Sequence, residues 1–71
     1  MTKDELKVKL GQRVVELRTS KGWSQSDLAR ASGKDRQAIE VIENGKVNPT
    51  IYSIYQIAIA LEVSLSELTK F

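Results

Sequence analysis

Within the segment "KDRQAIEVIENGK", Arg36, Gln37, Glu40, Val41 and Asn44 recur at helical spacing opposite Ile39 and Ile42. If the two isoleucines turn inward, with Ala38 at the edge, the outer side carries a guanidinium, two amides and a small apolar group. Lys34 and Lys46 flank it. Arginine and glutamine hydrogen-bond in pairs to base edges, and a group the size of Val41 fits against a thymine methyl. The major groove of a duplex is about 12 Å wide and admits one helix. On residue type alone, Arg36, Gln37 and Asn44 could read base edges and Val41 could touch a thymine methyl. Catalysis has no comparable footing. The chain contains no histidine and no cysteine, which removes the usual general base and the commonest transition-metal ligands. Only Glu40 and Glu43 form a close acidic pair, so neither an enzyme, a metal site nor a cofactor is expected.

A reading helix must be held at a fixed angle, and the preceding residues supply the means. Ser24 opens a helix with Asp27 in capping-box register. Gly33 closes it with a tight corner, and Asp35 caps the next helix, giving a helix-turn-helix over about 24–44. Helices this short are marginal in isolation and need tertiary support. Upstream, Leu6, Leu10, Val14 and Leu17 share a face that ends near Gly22. Downstream, Gly45 ends the third helix, and Asn48-Pro49-Thr50 opens a fourth with Pro49 at its first position. Ile51, Ile54, Ile57, Ala58 and Leu61 form the core face of that helix. Ser64 and Glu67 cap a short fifth helix through Leu65 and Leu68. No stretch alternates with period two, so the expected fold is all-α: one compact five-helix domain over 1–71.

Composition sets outer bounds. Seventy-one residues carry 11 basic and 9 acidic side chains, a net charge of +2. Residues 1–22 hold six of the basic groups against three acidic ones, a mild bias compatible with a polyanionic partner. Lys3, Lys7 and Lys9 read as a solvated helix face. No apolar run approaches the roughly 20 residues of a membrane span, and nothing reads as a secretion signal. A soluble cytoplasmic protein without membrane contact is the expectation. The N-terminal N–H groups of the second helix, with Gln25, are placed to meet a phosphate.

From Leu10 to Leu68 the chain resembles the Cro/cI-type helix-turn-helix regulators, the XRE family. The resemblance rests on "LGQRVVELR", "GWSQSDLARASG", "AIEVIENGKVNPT" and "IYQIAIALEVSLSEL", with Gln25, Ala29, Gly33, Ile39 and Ile42 at the motif positions. It implies a lambda-repressor-like fold that binds double-stranded DNA as a homodimer on an inverted-repeat operator, with the third helix in the major groove. Carried over by position, the base readers are Arg36, Gln37 and Val41. The phosphate contacts are Gln25, Lys34, Asn44, Lys46 and Thr50. The resemblance also implies an internal ion pair between Arg18 and Glu43. Four positions depart from the family pattern. Val41 replaces a frequent polar reader, Asp35 and Glu40 bring negative charge near phosphates, and Glu62 stands where glycine is common.

Tyr52 and Ile59 lie seven residues apart on a further face of the fourth helix, with Tyr55 beside them. Together with Val63 and Phe71 they form the expected dimer interface, since exposed apolar clusters mark partner surfaces. The plainer alternative is one broad core face completed by Phe71. Trp23 reads as core packing. The functional expectation is an operator-occupying transcriptional regulator, most simply a repressor. The alternative is an interaction module or antitoxin-type protein on the same fold, with a separate protein partner and little DNA reading.

Overall fold

A computed structural model describes residues 1–71 as five helices and no strand: α1 (Lys3–Ser20), α2 (Gln25–Ser32), α3 (Arg36–Glu43), α4 (Ile51–Leu61) and α5 (Leu65–Leu68). Side-chain caps fix all five starts. Ser24 and Asp27 exchange hydrogen bonds of 3.1 and 2.8 Å with each other's backbone N–H, and Ser64 and Glu67 repeat the arrangement. Thr2 and Glu5 form a third capping box at the head of α1. The Asp35 carboxylate accepts from the Ala38 N–H at 2.8 Å. Each such cap stabilises its helix by about 1 kcal/mol. The backbone N–H groups of Thr2 and Ser24 hold the Glu5 and Asp27 carboxyls below the ordinary carboxylate range.

The start of α4 differs from the expectation. Thr50 is its cap, accepting from the Ser53 N–H at 3.1 Å, and Pro49 stands one residue before the cap. The threonine hydroxyl satisfies a donor that proline would merely have omitted. This register turns Ile51 outward, where it is 71% exposed rather than in the core. Leu6 likewise lies outside the core.

The core takes one fully buried side chain from every helix: Val14, Leu28, Ile39, Ile57 and Leu68. Burying a side chain of this size contributes roughly 1.5–3 kcal/mol. Leu17, Trp23, Ile54, Val63 and Leu65 pack around them. No helix is long and apolar enough to cross a membrane.

Two backbone features set the angles between helices. Gly33 ends α2 in the left-handed region, at φ 71°, and turns the chain into α3 within three residues. At the equivalent corner after α4, Glu62 adopts φ 61° without being a glycine. The chain thus makes a glycine-type turn here without a glycine, and a 2.8 Å ion pair to Lys21 anchors the Glu62 side chain. The second feature is Gly11, buried in the middle of α1. A Cβ there would lie 2.5 Å from the carbonyl oxygen of Glu43 and 2.6 Å from that of Ile42. Helix α1 therefore crosses the end of α3 backbone to backbone.

Candidate nucleic-acid interface

The amphipathic pattern of α3 is realised in three dimensions. Ile39 and Ile42 are buried, while Arg36, Gln37 and Asn44 are exposed and Glu40 and Val41 half-buried. Helix α3 packs against both α2 and α1, so its inner face is fully used and only the outer face is open.

A polar chain runs from the protein interior to that open face. Arg18 binds Glu43 through two parallel bonds, Nε to Oε2 at 2.7 Å and Nη2 to Oε1 at 3.0 Å. Its remaining terminal nitrogen donates to the Trp23 carbonyl at 2.9 Å. The two side chains are only 13% and 3% exposed. The hydrogen bond to Glu43 raises the Arg18 pKa, against a burial that would lower it. Gln25 at the start of α2 then donates from Nε2 to Glu43 Oε1 at 2.9 Å. Its Oε1 accepts from Arg36 Nη1 at 3.2 Å. Arg36 thus starts from a defined position, with a looser 3.7 Å approach to Glu40.

The sequence-based site residues separate into distinct groups. Arg36, Gln37 and Val41 share the open face, and the Gln37 amide has no partner within the chain. Asn44 and Lys46 are exposed at the end of α3, and Thr50 is exposed at the head of α4. Gln25 is committed at both ends of its amide to Glu43 and Arg36, so it positions the Arg36 guanidinium. Lys34 departs from the expected placement. Its ammonium donates to Gln56 Oε1 at 3.0 Å and to Ser53 Oγ at 3.3 Å, tying the head of α3 to α4. The short turn after Gly33 brings α4 within reach of the lysine, and two oxygens there satisfy it.

The apolar residues also divide. Tyr52, Tyr55 and Ile59 form one exposed strip on α4, the two rings 6.5 Å apart. Val63 does not join them, because it packs on the core. Phe71 lies elsewhere, in a groove of about 120 Å³ with Leu6, Leu10, Pro49 and Ile54. Leu68 is anchored in the core, and Arg13 Nε donates to the Glu67 carbonyl at 3.0 Å. Together these steer the C-terminus back to α1.

The role of Gly11 has only one trace in the sequence, a glycine inside a helical pattern next to the core residue Leu10. Ile51 departs from the expected core face because a residue on the first turn of a helix can satisfy an i, i+3 pattern without reaching the core.

The helix-turn-helix family profile matches residues 14–68. An uncharacterised HTH-type transcriptional regulator of Sinorhizobium fredii is 37% identical over 59 residues, covering 83% of this chain and 77% of that protein. Among solved structures, the restriction-modification controller protein C.AhdI of Aeromonas hydrophila superposes with a TM-score of 0.83 at 46% identity, over 86% of this chain and 92% of the controller. The controller C.Esp1396I gives 0.83 at 37% identity, over 92% and 87% of the two chains. Other curated regulators it matches are longer, the chain spanning 60% of one and 31% of another.

Proposed function

The chain belongs to the helix-turn-helix family of these transcriptional regulators, and from that premise we propose that it binds duplex DNA as a homodimer, with α3 in the major groove, and represses by occupying an inverted-repeat operator. The observation that carries this reading is the two-sided character of α3: isoleucines sealed in the core, and on the other face an unpartnered Gln37 beside a positioned Arg36. Arg36, Gln37 and Val41 read bases. Lys46, Asn44 and Thr50 meet phosphates, assisted by the N-terminus of α2 beside Gln25. Lys34 contributes its charge from the flank while holding α3 against α4. The likeness to two restriction-modification controllers supports a controller role of that kind.

Selection of bound duplexes from a random library at about 150 mM salt tests the reading. An enriched inverted repeat with half-sites about 10–10.5 base pairs apart is the expected result. A well-folded protein that enriches no sequence would favour an interaction module on the same fold. Gln37→Ala should weaken binding to the selected site by about 1–3 kcal/mol and relax one base pair in each half-site. Equal weakening on unrelated sequences would remove Gln37 from base reading.

The dimer rests on the α4 strip. Tyr52 and Ile59 are 65% and 58% exposed, an apolar display that nothing else in the chain covers. A twofold axis beside α4 would bury the strip against its own copy. Ile59→Lys is expected to sediment as a folded monomer, since a desolvated ammonium on the axis would face its twin. A variant that remains dimeric moves the interface elsewhere.

A further inference from the structure

Glu40 is the one carboxylate of the recognition segment without a structural task. Asp35 caps α3 and Glu43 anchors Arg18 and Gln25. Glu40 instead sits one turn beyond Arg36 on the outer face, its side chain 42% exposed, and its carboxylate accepts no hydrogen bond, the Arg36 guanidinium approaching only to 3.7 Å. Exposed pairs of this spacing add little to stability. Arg36 does not need it for orientation either, because Gln25 Oε1 already holds the guanidinium. A negative charge on a face that approaches phosphates opposes binding to every duplex alike, unless it meets a donor.

We propose that Glu40 is a specificity-determining residue that accepts a hydrogen bond from a cytosine amino group in each half-site. The inference rests on the reading of α3 as the base-reading helix. In the major groove, guanine offers only acceptors (N7 and O6) and thymine offers O4 and a methyl, so a carboxylate is repelled by both. Adenine offers N6 as a donor but sets the N7 acceptor beside it. Cytosine presents its N4 donor with no competing acceptor on the same base. Arg36, one turn away, is suited to guanine O6 and N7, so the pair favours neighbouring guanine and cytosine contacts from one helix edge. The 3.7 Å separation of Arg36 and Glu40 keeps them available to reach different bases.

The test repeats the duplex selection with the full chain and with Glu40→Gln, Arg36→Ala and Gln37→Ala, after thermal unfolding has confirmed that each variant is folded. Wild type should select cytosine at one symmetric position, and Glu40→Gln should lower that preference about 10-fold while binding unrelated duplex more tightly. The relaxed position should differ from those relaxed by Arg36→Ala and Gln37→Ala. If Glu40→Gln relaxes only the position that Arg36→Ala relaxes, the carboxylate acts through Arg36 and the assignment fails. A uniform gain in affinity with unchanged base preference would reduce Glu40 to a general repulsive charge. If wild type itself selects no sequence, the DNA-reading function is refuted first and the inference goes with it.

Discussion

Gly11→Ala is expected to lower the unfolding free energy by about 3 kcal/mol, the upper end of what overpacking costs. Local propensity argues for the opposite sign, since alanine is favoured over glycine in a helix interior by about 1 kcal/mol. The close crossing of α1 over α3 decides between them. The added methyl would stand 2.5 and 2.6 Å from two carbonyl oxygens of α3. Those are backbone atoms and cannot rotate aside, so the two helices must separate by the better part of an ångström. One of the carbonyls belongs to Glu43, whose side chain holds Arg18 and Gln25. Separation therefore loosens the core and the polar chain behind Arg36 together. Urea unfolding measures the first effect, and affinity for the selected duplex measures the second. An alanine variant as stable as wild type would show that α1 and α3 are less tightly apposed.

Glu43→Ala is expected to cost about 3–5 kcal/mol, the range for stranding one partner of a buried ion pair. Here the loss is threefold. The Arg18 guanidinium, 13% exposed, keeps its Trp23 carbonyl but loses both carboxylate oxygens. The Gln25 amide loses an acceptor, and a cavity is left where the side chain was 3% exposed. For a domain this size the melting temperature should fall by at least about 12 °C. Duplex binding should fall with it because α3 loses its anchor to α1. A comparison with the paired change Arg18→Met and Glu43→Leu isolates the cause. Replacing both charges by apolar groups removes the stranded cation, so that variant should recover much of the stability even though Gln25 still lacks its acceptor. If the single variant melts like wild type, the pair carries no structural weight.

Both predictions concern the same junction, which explains how a helix of eight residues can be held rigidly in place. Helix α3 alone would be largely unfolded in water. It is held from below by Ile39 and Ile42, at its end by Gly11 and Arg18, and at its head by Lys34 on α4. On the proposed reading, Gly11 and Arg18, which lie away from the open face of α3, would govern affinity by governing the position of that helix.

The amino-acid sequence by itself determined the five elements and most of their inward faces, Ile51 and Leu6 excepted. Ser24, Asp35 and Ser64 fix helix starts because their side chains bond to N–H groups three residues on, and Gly33 fixes a corner because its φ suits a residue without Cβ. These effects act within a few residues, so they are legible in one dimension. The outward face of α3 was equally legible, since helical spacing alone separates Arg36 and Gln37 from Ile39 and Ile42. Only the tertiary structure decided which long side chains meet. Lys34 turns to α4, Gln25 bridges Glu43 and Arg36, Val63 joins the core and Phe71 leaves the α4 strip. Each outcome depends on a distance between helices set by packing. A lysine or glutamine has several rotamers of similar energy, and the nearest unsatisfied partner on another helix selects among them. The role of Gly11 is the extreme case. Its own segment favours alanine, and only the backbone of a helix more than thirty residues away requires glycine.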